Sequence, residues 1–331
     1  MEPRRFARYA WWVLGANLAV ILWGALVRAS GSGAGCGNHW PLCGAAFSAH
    51  PVAATLIEFA HRMSSGVVLI LVLGLALWAR RTLPRGHAAR RSALWALIFI
   101  LSEALLGASL VLLGHVALDA SPARVVWLSL HLVNTFFLLA ALSLTAWWAG
   151  DHARPEPAGH RREFWLLGVG LAGTLLLGVS GAITALADTL FPAASLEQGM
   201  RQDFSPTAHF LIRLRIIHPA LAVLMGVYLM LAAVAAAQGS RRAARRLAAM
   251  LLGLIVLQWT AGGLNIMLGA PVWLQLAHLL GADLVWITLV LLTAAVAETP
   301  AARSRIALAP GPEQGLKGHP VPRSRPVGPP A

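Results

Sequence analysis

Four histidines lie inside long apolar stretches of the chain, where an imidazole ring has few polar neighbours: His61, His131, His218 and His278. Their stretches are the second, fourth, sixth and eighth, which cross a membrane in the same direction, and each histidine comes about 4 to 10 residues after its stretch begins. The rings are therefore expected at one depth. Two imidazoles facing each other in a helical bundle can provide the axial ligands of haem iron. The pattern predicts two haem sites, although any one of these histidines alone is equally well explained by an interhelical hydrogen bond.

The residue three positions before the histidine differs between the two halves of the chain. Glu58 stands before the first histidine and Arg215 before the third, and residues three apart share a helical face. A guanidinium suits a haem propionate, whereas a carboxylate in a low dielectric can accept a proton or stabilise a developing positive charge. The alternative for Glu58 is an ion pair with Arg62 or Arg28. The difference predicts unequal tasks for the two sites.

The only cysteines, Cys36 and Cys43, lie in the loop after the first apolar stretch. A disulfide between them would close a small ring and contribute about 2.5 kcal/mol in the chain-entropy model, so a structural bridge is one interpretation. The loop lies on the same side of the membrane as the four histidines, which leaves a redox role open. The second half has no cysteine.

Two more acids, Glu103 and Asp283, fall inside apolar stretches, where ionisable side chains are usually functional. Gln258 occupies the position in the second half that matches Glu103. This match predicts a polar contact between helices in both halves, and the roles of the two acids stay open.

Membrane helices must carry all of these residues. Of 331 residues, 58% are hydrophobic and 12% charged, and the mean hydropathy is +0.69. Crossing about 30 Å of hydrocarbon takes about 20 apolar residues, and these stretches are apolar on all faces, unlike the strands of a lipid-exposed barrel. Eight stretches qualify: 9–28, 57–79, 92–114, 124–148, 164–186, 208–237, 246–268 and 272–297. The predicted fold is all-α, an integral membrane protein with eight transmembrane helices.

The net charge of +13 comes mostly from arginine blocks in alternate loops. Short basic loops stay on the cytoplasmic side, so both termini are predicted to be cytoplasmic and the cysteine loop extracytoplasmic. The predicted location is the cell membrane, with membrane lipid around the helices. Nucleic acid is excluded as a partner because topology already explains the arginines.

The sequence repeats itself once. Gly24 and His61 match Gly181 and His218 at an offset of 157 residues. An even number of helices per unit keeps both copies in one orientation, so two four-helix bundles related as a parallel repeat are predicted. The predicted domains are the first half, the second half and a proline-rich, disordered cytoplasmic tail: 1–150, 151–298 and 299–331.

Three segments resemble the haem A synthase family, whose members oxidise haem O to haem A for terminal oxidases. They are Gly24-Ala25-Leu26-Val27-Arg28 with Gly31-Ser32-Gly33, the Cys-x6-Cys loop with Trp40-Pro41-Leu42-Cys43, and Glu58-Phe59-Ala60-His61-Arg62. The other three intramembrane histidines fall where the family keeps its own. The resemblance spans nearly the whole helical region.

The resemblance implies that the first half binds haem O as substrate and that the second half binds haem b as cofactor. The implied substrate site consists of His61, His131, Arg28 and Arg62, and the implied catalytic residues are Glu58, Cys36 and Cys43. The implied haem b site consists of His218, His278 and Arg215. All four histidines are then ligands of haem iron.

The implied reaction oxidises the methyl group at ring position 8 to a formyl group by two successive hydroxylations, with oxygen from water. Glu58 is suitably placed to stabilise the charge that develops. Implied partners are haem O synthase and a quinone or another electron acceptor, and a homo-oligomer is compatible with the sequence. Some members carry a second cysteine pair in the matching loop of the second half, whereas residues 187–207 contain none. A mechanism that needs two disulfides is in doubt for this chain.

Two other classes of protein compete. A di-haem electron-transfer protein of the cytochrome b type also uses histidine pairs in a helical bundle, but it predicts symmetric sites, whereas Glu58 and the cysteines occur in one half only. A transporter with parallel repeats would need interrupted helices near the middle of the membrane. His218-Pro219 offers one kink, without a matching break in the first half.

Overall fold

The computed structural model describes residues 2–44, 52–150, 161–238 and 240–298, and the regular elements in these ranges are all helices. In chain order they are α1 (Glu2–Ala29), α2 (Ala53–Thr82), α3 (Ala88–Leu112), α4 (Pro122–Trp148), α5 (Arg161–Leu190), α6 (Leu196–Asp203), α7 (Phe210–Arg215), α8 (Ile217–Ala237), α9 (Arg242–Met267) and α10 (Val272–Val296). A short 3-10 turn covers Ser32–Ala34. The predicted all-α fold is confirmed. The tail predicted at 299–331 lies outside the described residues.

Eight helical segments of the described chain are long and apolar enough to cross a membrane, as predicted. α7 and α8 together supply one of them, Phe210–Ala237. Several helices begin before the predicted apolar stretches, and α2 begins at Ala53 rather than at Ile57, because the end of a helix can reach the headgroup region without ending the helix. This extension places Glu58 in the second turn of α2.

The sixth span is interrupted between α7 and α8, beside Pro219. Proline has no backbone N–H, so the carbonyl of Arg215, four residues earlier, loses its usual donor within the helix. Thr184 Oγ1 of α5 donates to that carbonyl at 3.5 Å. The kink expected at His218-Pro219 therefore occurs just before the histidine.

Each half of the chain packs as a ring of four spans. α1 and α3 both contact α2 and α4, and in the second half α5 and α9 both contact α8 and α10. The rings meet where α1 and α4 face α5 and α10. These neighbours are those expected of two four-helix bundles, while the parallel repeat, the domain boundaries and the cytoplasmic termini stay predictions.

A tyrosine joins the first two spans of each half. Tyr9 of α1 donates its hydroxyl proton to the carbonyl of Leu71 in α2 at 3.0 Å. In the second half Tyr228 of α8 donates to the carbonyl of Leu166 in α5 at 2.9 Å. Leu166 and Tyr228 lie 157 residues after Tyr9 and Leu71, so matching positions meet in both halves with donor and acceptor exchanged.

α10 is the most deeply buried of the eight spans. Its Trp286 donates a ring N–H to the carbonyl of Phe136 in α4 at 2.6 Å and stacks on that phenylalanine at 5.0 Å. The large side chains of Leu289 and Leu292 on the same helix are fully buried. The core therefore lies along the contact between α4 and α10, and it holds the two four-helix rings together.

Candidate functional site

Glycine provides the space for two of the intramembrane histidine rings. His61 of α2 packs on Gly24 of α1, and His218 of α8 packs on Gly181 of α5. A Cβ added to either glycine would lie 2.9 Å from the ring Cε1 atom, closer than carbon atoms approach without displacement. The matched Gly24 and Gly181 therefore have the same function of admitting an imidazole.

The other two histidines also lie against glycine, with looser contacts. A Cβ at Gly107 of α3 would lie 3.7 Å from the ring of His131 in α4, and one at Gly262 of α9 would lie 3.4 Å from the ring of His278 in α10. The four contacts share one arrangement, in which a histidine packs on a glycine of the preceding membrane span. The repeat in the sequence thus corresponds to a repeated packing contact.

The ring of His218 has a defined tautomer. Its Nδ1 lies 2.9 Å from Ser180 Oγ, and the Ser180 hydroxyl proton is donated to the carbonyl of Leu177 at 2.8 Å. The serine oxygen must therefore accept the Nδ1 proton. This arrangement leaves the Nε2 lone pair of His218 free to ligate a metal.

Nδ1 of His61, His131 and His278 is buried and forms no hydrogen bond within the described residues. All three rings are only half-buried as a whole, so their other edge, with Nε2, is the accessible one. His61 is close enough to His131 for their charges to interact, and His218 is close enough to His278. The histidines thus come together as one pair in each half.

Two imidazoles per half fit the requirement of a haem. The porphyrin supplies four nitrogen ligands itself, so the iron needs only two from the protein. A metal ion bound without a porphyrin would require three or more ligands from the protein. In the described part of the chain, His, Cys, Asp and Glu side chains do not come together in groups of that size. Paired rings with accessible Nε2 atoms, set on helices that face each other, are compatible with haem in both halves.

Glu58 is buried, and both of its oxygens are bound. Its Oε2 accepts a hydrogen bond from the backbone N–H of Cys36 at 2.8 Å, and its Oε1 forms an ion pair with Arg62 at 2.5 Å. Arg62 also donates to the carbonyl of His39. Of the two arginines considered as partners, the structure pairs Glu58 with Arg62. The carboxylate therefore connects the second helix to the cysteine loop.

The loop that carries the cysteines is bridged and packed against the start of α2. Cys36 and Cys43 form a disulfide and are both almost fully buried. Thr55 donates its hydroxyl proton to the carbonyl of Gly35 at 2.7 Å. Gly35 lies so close to Ala54 that a Cβ would come within 2.4 Å of its carbonyl carbon. Thr55 and Gly35 were not identified from the sequence, where only the Gly-Cys-Gly run at 35–37 hinted at a tight contact.

Arg28 extends into the other half of the protein. Its guanidinium donates to the carbonyl of Ala185 at 2.7 Å and to Thr189 Oγ1 at 2.6 Å in α5, and to Gln275 Oε1 at 3.1 Å in α10. In the structure it therefore bridges the two halves. Its role in binding the substrate haem stays a prediction.

Arg215 is paired with two aspartates. It contacts Asp188 of α5 at 3.0 Å and Asp203 at the end of α6 at 2.5 Å. A haem propionate would have to share the guanidinium with these carboxylates, and the predicted contact stays a prediction. Neither aspartate was identified from the sequence, because the contacts join segments with no common periodicity.

The two matched polar residues of the third and seventh spans both reach the following span. Glu103 of α3 binds Asn134 and Thr135 of α4, and Gln258 of α9 donates to the carbonyl of His278 in α10 at 3.1 Å. The expected interhelical contact occurs in both halves. Asp283 of α10 is fully buried, and its oxygens have no hydrogen-bond partner among the described residues.

The loop between α3 and α4 contains a separate acid and histidine pair outside the spans. Asp119 lies 2.9 Å from His115 Nδ1 and accepts hydrogen bonds from the N–H and hydroxyl of Ser121. Partial burial tends to raise the pKa of Asp119, but the bonds from His115 and Ser121 outweigh it and hold the pKa below its usual value. The pair fixes the loop that leads into α4.

Known proteins resemble this chain along most of its length. Residues 47–290 match the family described as COX15-CtaA: Cytochrome oxidase assembly protein. A protoheme IX farnesyltransferase of Thermus thermophilus is 47% identical over 301 residues, which cover 90% of this chain and 50% of that protein. Heme A synthases of Bacillus pumilus and Bacillus licheniformis are 32% and 30% identical over 65% and 67% of this chain and 69% and 72% of theirs.

The chain spans about half the length of the Thermus thermophilus relatives that it matches. The range that matches the family contains Glu58 and all four intramembrane histidines. It begins after the cysteine loop, which lies within the 90% of this chain that the Thermus thermophilus relative covers. The chain belongs to the COX15-CtaA family, the haem A synthase family that its motifs indicated.

Proposed function

We propose that the chain is a haem A synthase, an oxidoreductase that converts the methyl group at ring position 8 of haem O to a formyl group by successive hydroxylations. The observation that carries this proposal is the asymmetry between two similar histidine pairs. Among the described residues, only the first pair has a buried carboxylate that is hydrogen-bonded to a disulfide loop: Glu58, one turn before His61. Two halves that share one scaffold but surround their histidine pairs with different residues are suited to binding a substrate in one half and a cofactor in the other.

In this proposal His61 and His131 hold the haem O substrate, with Arg62 beside them. His218 and His278 hold haem b, which supplies one-electron redox chemistry when it is bound. The tautomer of His218, set by Ser180, presents Nε2 to the iron. The glycines that face each ring keep the imidazole planes in place.

The oxidation replaces hydrogen on a benzylic-type carbon with oxygen from water and releases four electrons and four protons in total. Positive charge develops on that carbon as electrons leave. Glu58 accepts hydrogen bonds from Arg62 and from the Cys36 N–H, and a carboxylate held in this way can stabilise the positive charge or receive a proton. The final electron acceptor would be a quinone or a partner protein.

The disulfide loop contacts the residue proposed to take part in this reaction, Glu58. The Cys36 backbone N–H, rather than its sulfur, touches Glu58, and the bridge between Cys36 and Cys43 holds that backbone in place. We infer that the bridge acts by positioning Glu58. This interpretation needs no second disulfide, in agreement with the single cysteine pair of the chain.

The Thermus thermophilus relative suggests a partner. It is about twice as long as the matched region and is named a protoheme IX farnesyltransferase, an activity that attaches the farnesyl group and so produces haem O. We propose that this chain receives its substrate from haem O synthase in the cell membrane, with the cysteine loop on the extracytoplasmic side.

The direct test is to purify the protein, extract its haems and identify them chromatographically, with and without co-expressed haem O synthase. Haem A or a hydroxylated intermediate is expected only with the co-expressed enzyme, and haem b in both cases. Finding haem b alone under both conditions would refute the synthase proposal.

The second candidate is a di-haem electron-transfer protein of the cytochrome b type. The shared glycine contacts of the two histidine pairs favour it, because they make the two sites alike. It predicts two haem b groups and no conversion of haem O. The haem extraction above distinguishes the two candidates.

A further inference from the structure

The four ligand histidines differ in what lies beside Nδ1. Ser180 Oγ binds that of His218, and those of His61 and His278 have no hydrogen-bond partner among the described residues. Among the described residues, His131 is the one of the four with a carboxylate within ion-pair range of Nδ1, since Glu103 Oε1 lies 3.4 Å from it. This separation is within ion-pair range, although Nδ1 of His131 forms no hydrogen bond among the described residues.

Glu103 is held in place from α4. Asn134 donates to Oε2 and Thr135 donates to Oε1, and Asn134 is itself fixed by Ser102, which donates to its Oδ1 at 2.6 Å. The amide of Asn134 and the hydroxyl of Thr135 thus both offer hydrogen-bond donors to the carboxylate. The hydroxyl of Thr135 also reaches the carbonyl of His131 at 2.9 Å, so carboxylate and histidine share one support.

The second half has an amide at the matching position. Gln258 lies 155 residues after Glu103, and its Nε2 donates to the backbone carbonyl of His278 at 3.1 Å. The amide thus binds the backbone and leaves Nδ1 of His278 without a partner. The two halves therefore differ in the outer partner of one axial ligand as well as at Glu58.

We propose that Glu103 is a positioning residue for the first haem site, which accepts the Nδ1 proton of His131 and directs Nε2 of that ring to the iron. The inference rests on the proposed haem ligation by His61 and His131. A carboxylate on the outer nitrogen makes a histidine a stronger electron donor. The iron in the first half then has a lower reduction potential than it would with an amide at position 103.

The test exchanges the two residues in the haem-loaded protein. Glu103→Gln copies the second half, and Gln258→Glu is the matched control. Each variant is purified from cells that co-express haem O synthase, and the readouts are a spectroscopic redox titration and the electron paramagnetic resonance of the oxidised haems. The haems extracted from each variant are identified chromatographically, and potentials are compared only between proteins that carry the same haems.

For Glu103→Gln we expect an upward shift in the potential of one haem, a change in its resonance signal, and no change in the other haem. Glu103→Asp should restore part of the shift. In Gln258→Glu, the haem that responded to Glu103→Gln should keep its potential. An unchanged potential and signal in Glu103→Gln with both haems bound would overturn the inference, as would equal shifts in both haems.

Loss of both haems in Glu103→Gln and Glu103→Asp alike would also overturn it, because the residue would then be needed for folding. If the wild-type protein binds only one haem and His131→Ala retains it, the ligand assignment of the first half is wrong and the inference fails with it. That outcome is distinct from an unchanged potential in a protein with both haems.

Discussion

The backbone N–H of Cys36 donates a hydrogen bond to Glu58 Oε2 across 2.8 Å. This contact links the bridged loop after α1 to the face of α2 that also carries His61. It joins two features that the sequence shows only as separate motifs. The predictions for the first half follow from it.

Glu58→Gln should block product formation while the protein keeps its haem b spectrum. The amide fills the same space but cannot stabilise positive charge or take up a proton, so we expect conversion of haem O to fall about 100-fold or more. Chromatography of extracted haems and the optical spectrum measure the two effects. Glu197→Gln is the matched control, because Glu197 forms the same i,i+4 pair with an arginine, Arg201, but is exposed. Loss of haem b in Glu58→Gln would place the carboxylate in the other site.

Cys36→Ser combined with Cys43→Ser should lower stability and activity together. Opening the ring should cost about 2.5 kcal/mol of unfolding free energy, and Glu58 should lose its fixed donor while haem b stays bound. Thermal unfolding and haem analysis measure this. Both sulfurs are almost fully buried, so a mild reductant should leave the wild-type enzyme active. Rapid inactivation by such a reductant at unchanged stability would favour a redox role.

Gly24→Ala should disturb the first haem site because the new methyl group would meet the His61 ring at 2.9 Å. We expect loss of the haem held by His61 with retention of haem b. Gly15→Ala on the same helix is the control, since nothing lies within 4 Å of a Cβ there. It should be neutral or should stabilise the helix by about 0.5–1 kcal/mol. Equal haem content in both variants would speak against the packing contact.

His278→Ala should remove haem b from the purified protein, because the second half would keep a single axial ligand. The optical spectrum of the reduced protein measures the loss. His115→Ala, in the loop outside the spans, should leave the spectrum unchanged. An unaltered haem b spectrum in His278→Ala would refute the cofactor assignment.

Asp119 gives a dependence on pH that is separate from the haem sites. The pKa of Asp119 is lowered in the folded protein by His115 and Ser121. Its ionised form therefore stabilises the folded protein above the ordinary carboxyl pKa of about 3.9. This stabilisation is lost as the pH falls through the lower pKa of the folded protein. Asp119→Asn should be less stable than the wild type near neutral pH. The difference should shrink towards pH 3 in thermal unfolding. A difference that grows on acidification would contradict the assignment.

The spans and the four histidines were predictable because apolar length and depth in the membrane are local properties of the sequence. Several polar contacts between distant segments were not. Asp188 and Asp203 reach Arg215 from α5 and α6, and Thr55 holds the cysteine loop through a carbonyl. Such contacts depend on how distant segments approach each other, which neither hydropathy nor the repeat specifies. Arg62 was identified as one of two candidate partners for Glu58, and packing decided between them.

Arg28 and the residue it binds, Ala185, are separated by 157 positions, the offset of the predicted repeat. If the repeat is correct, Arg28 contacts its own counterpart, as happens next to a twofold axis. Two arginines at those positions would bring like charges together in a half-buried contact. Electrostatic repulsion at such a contact is therefore a physical reason for the two halves to differ at this position.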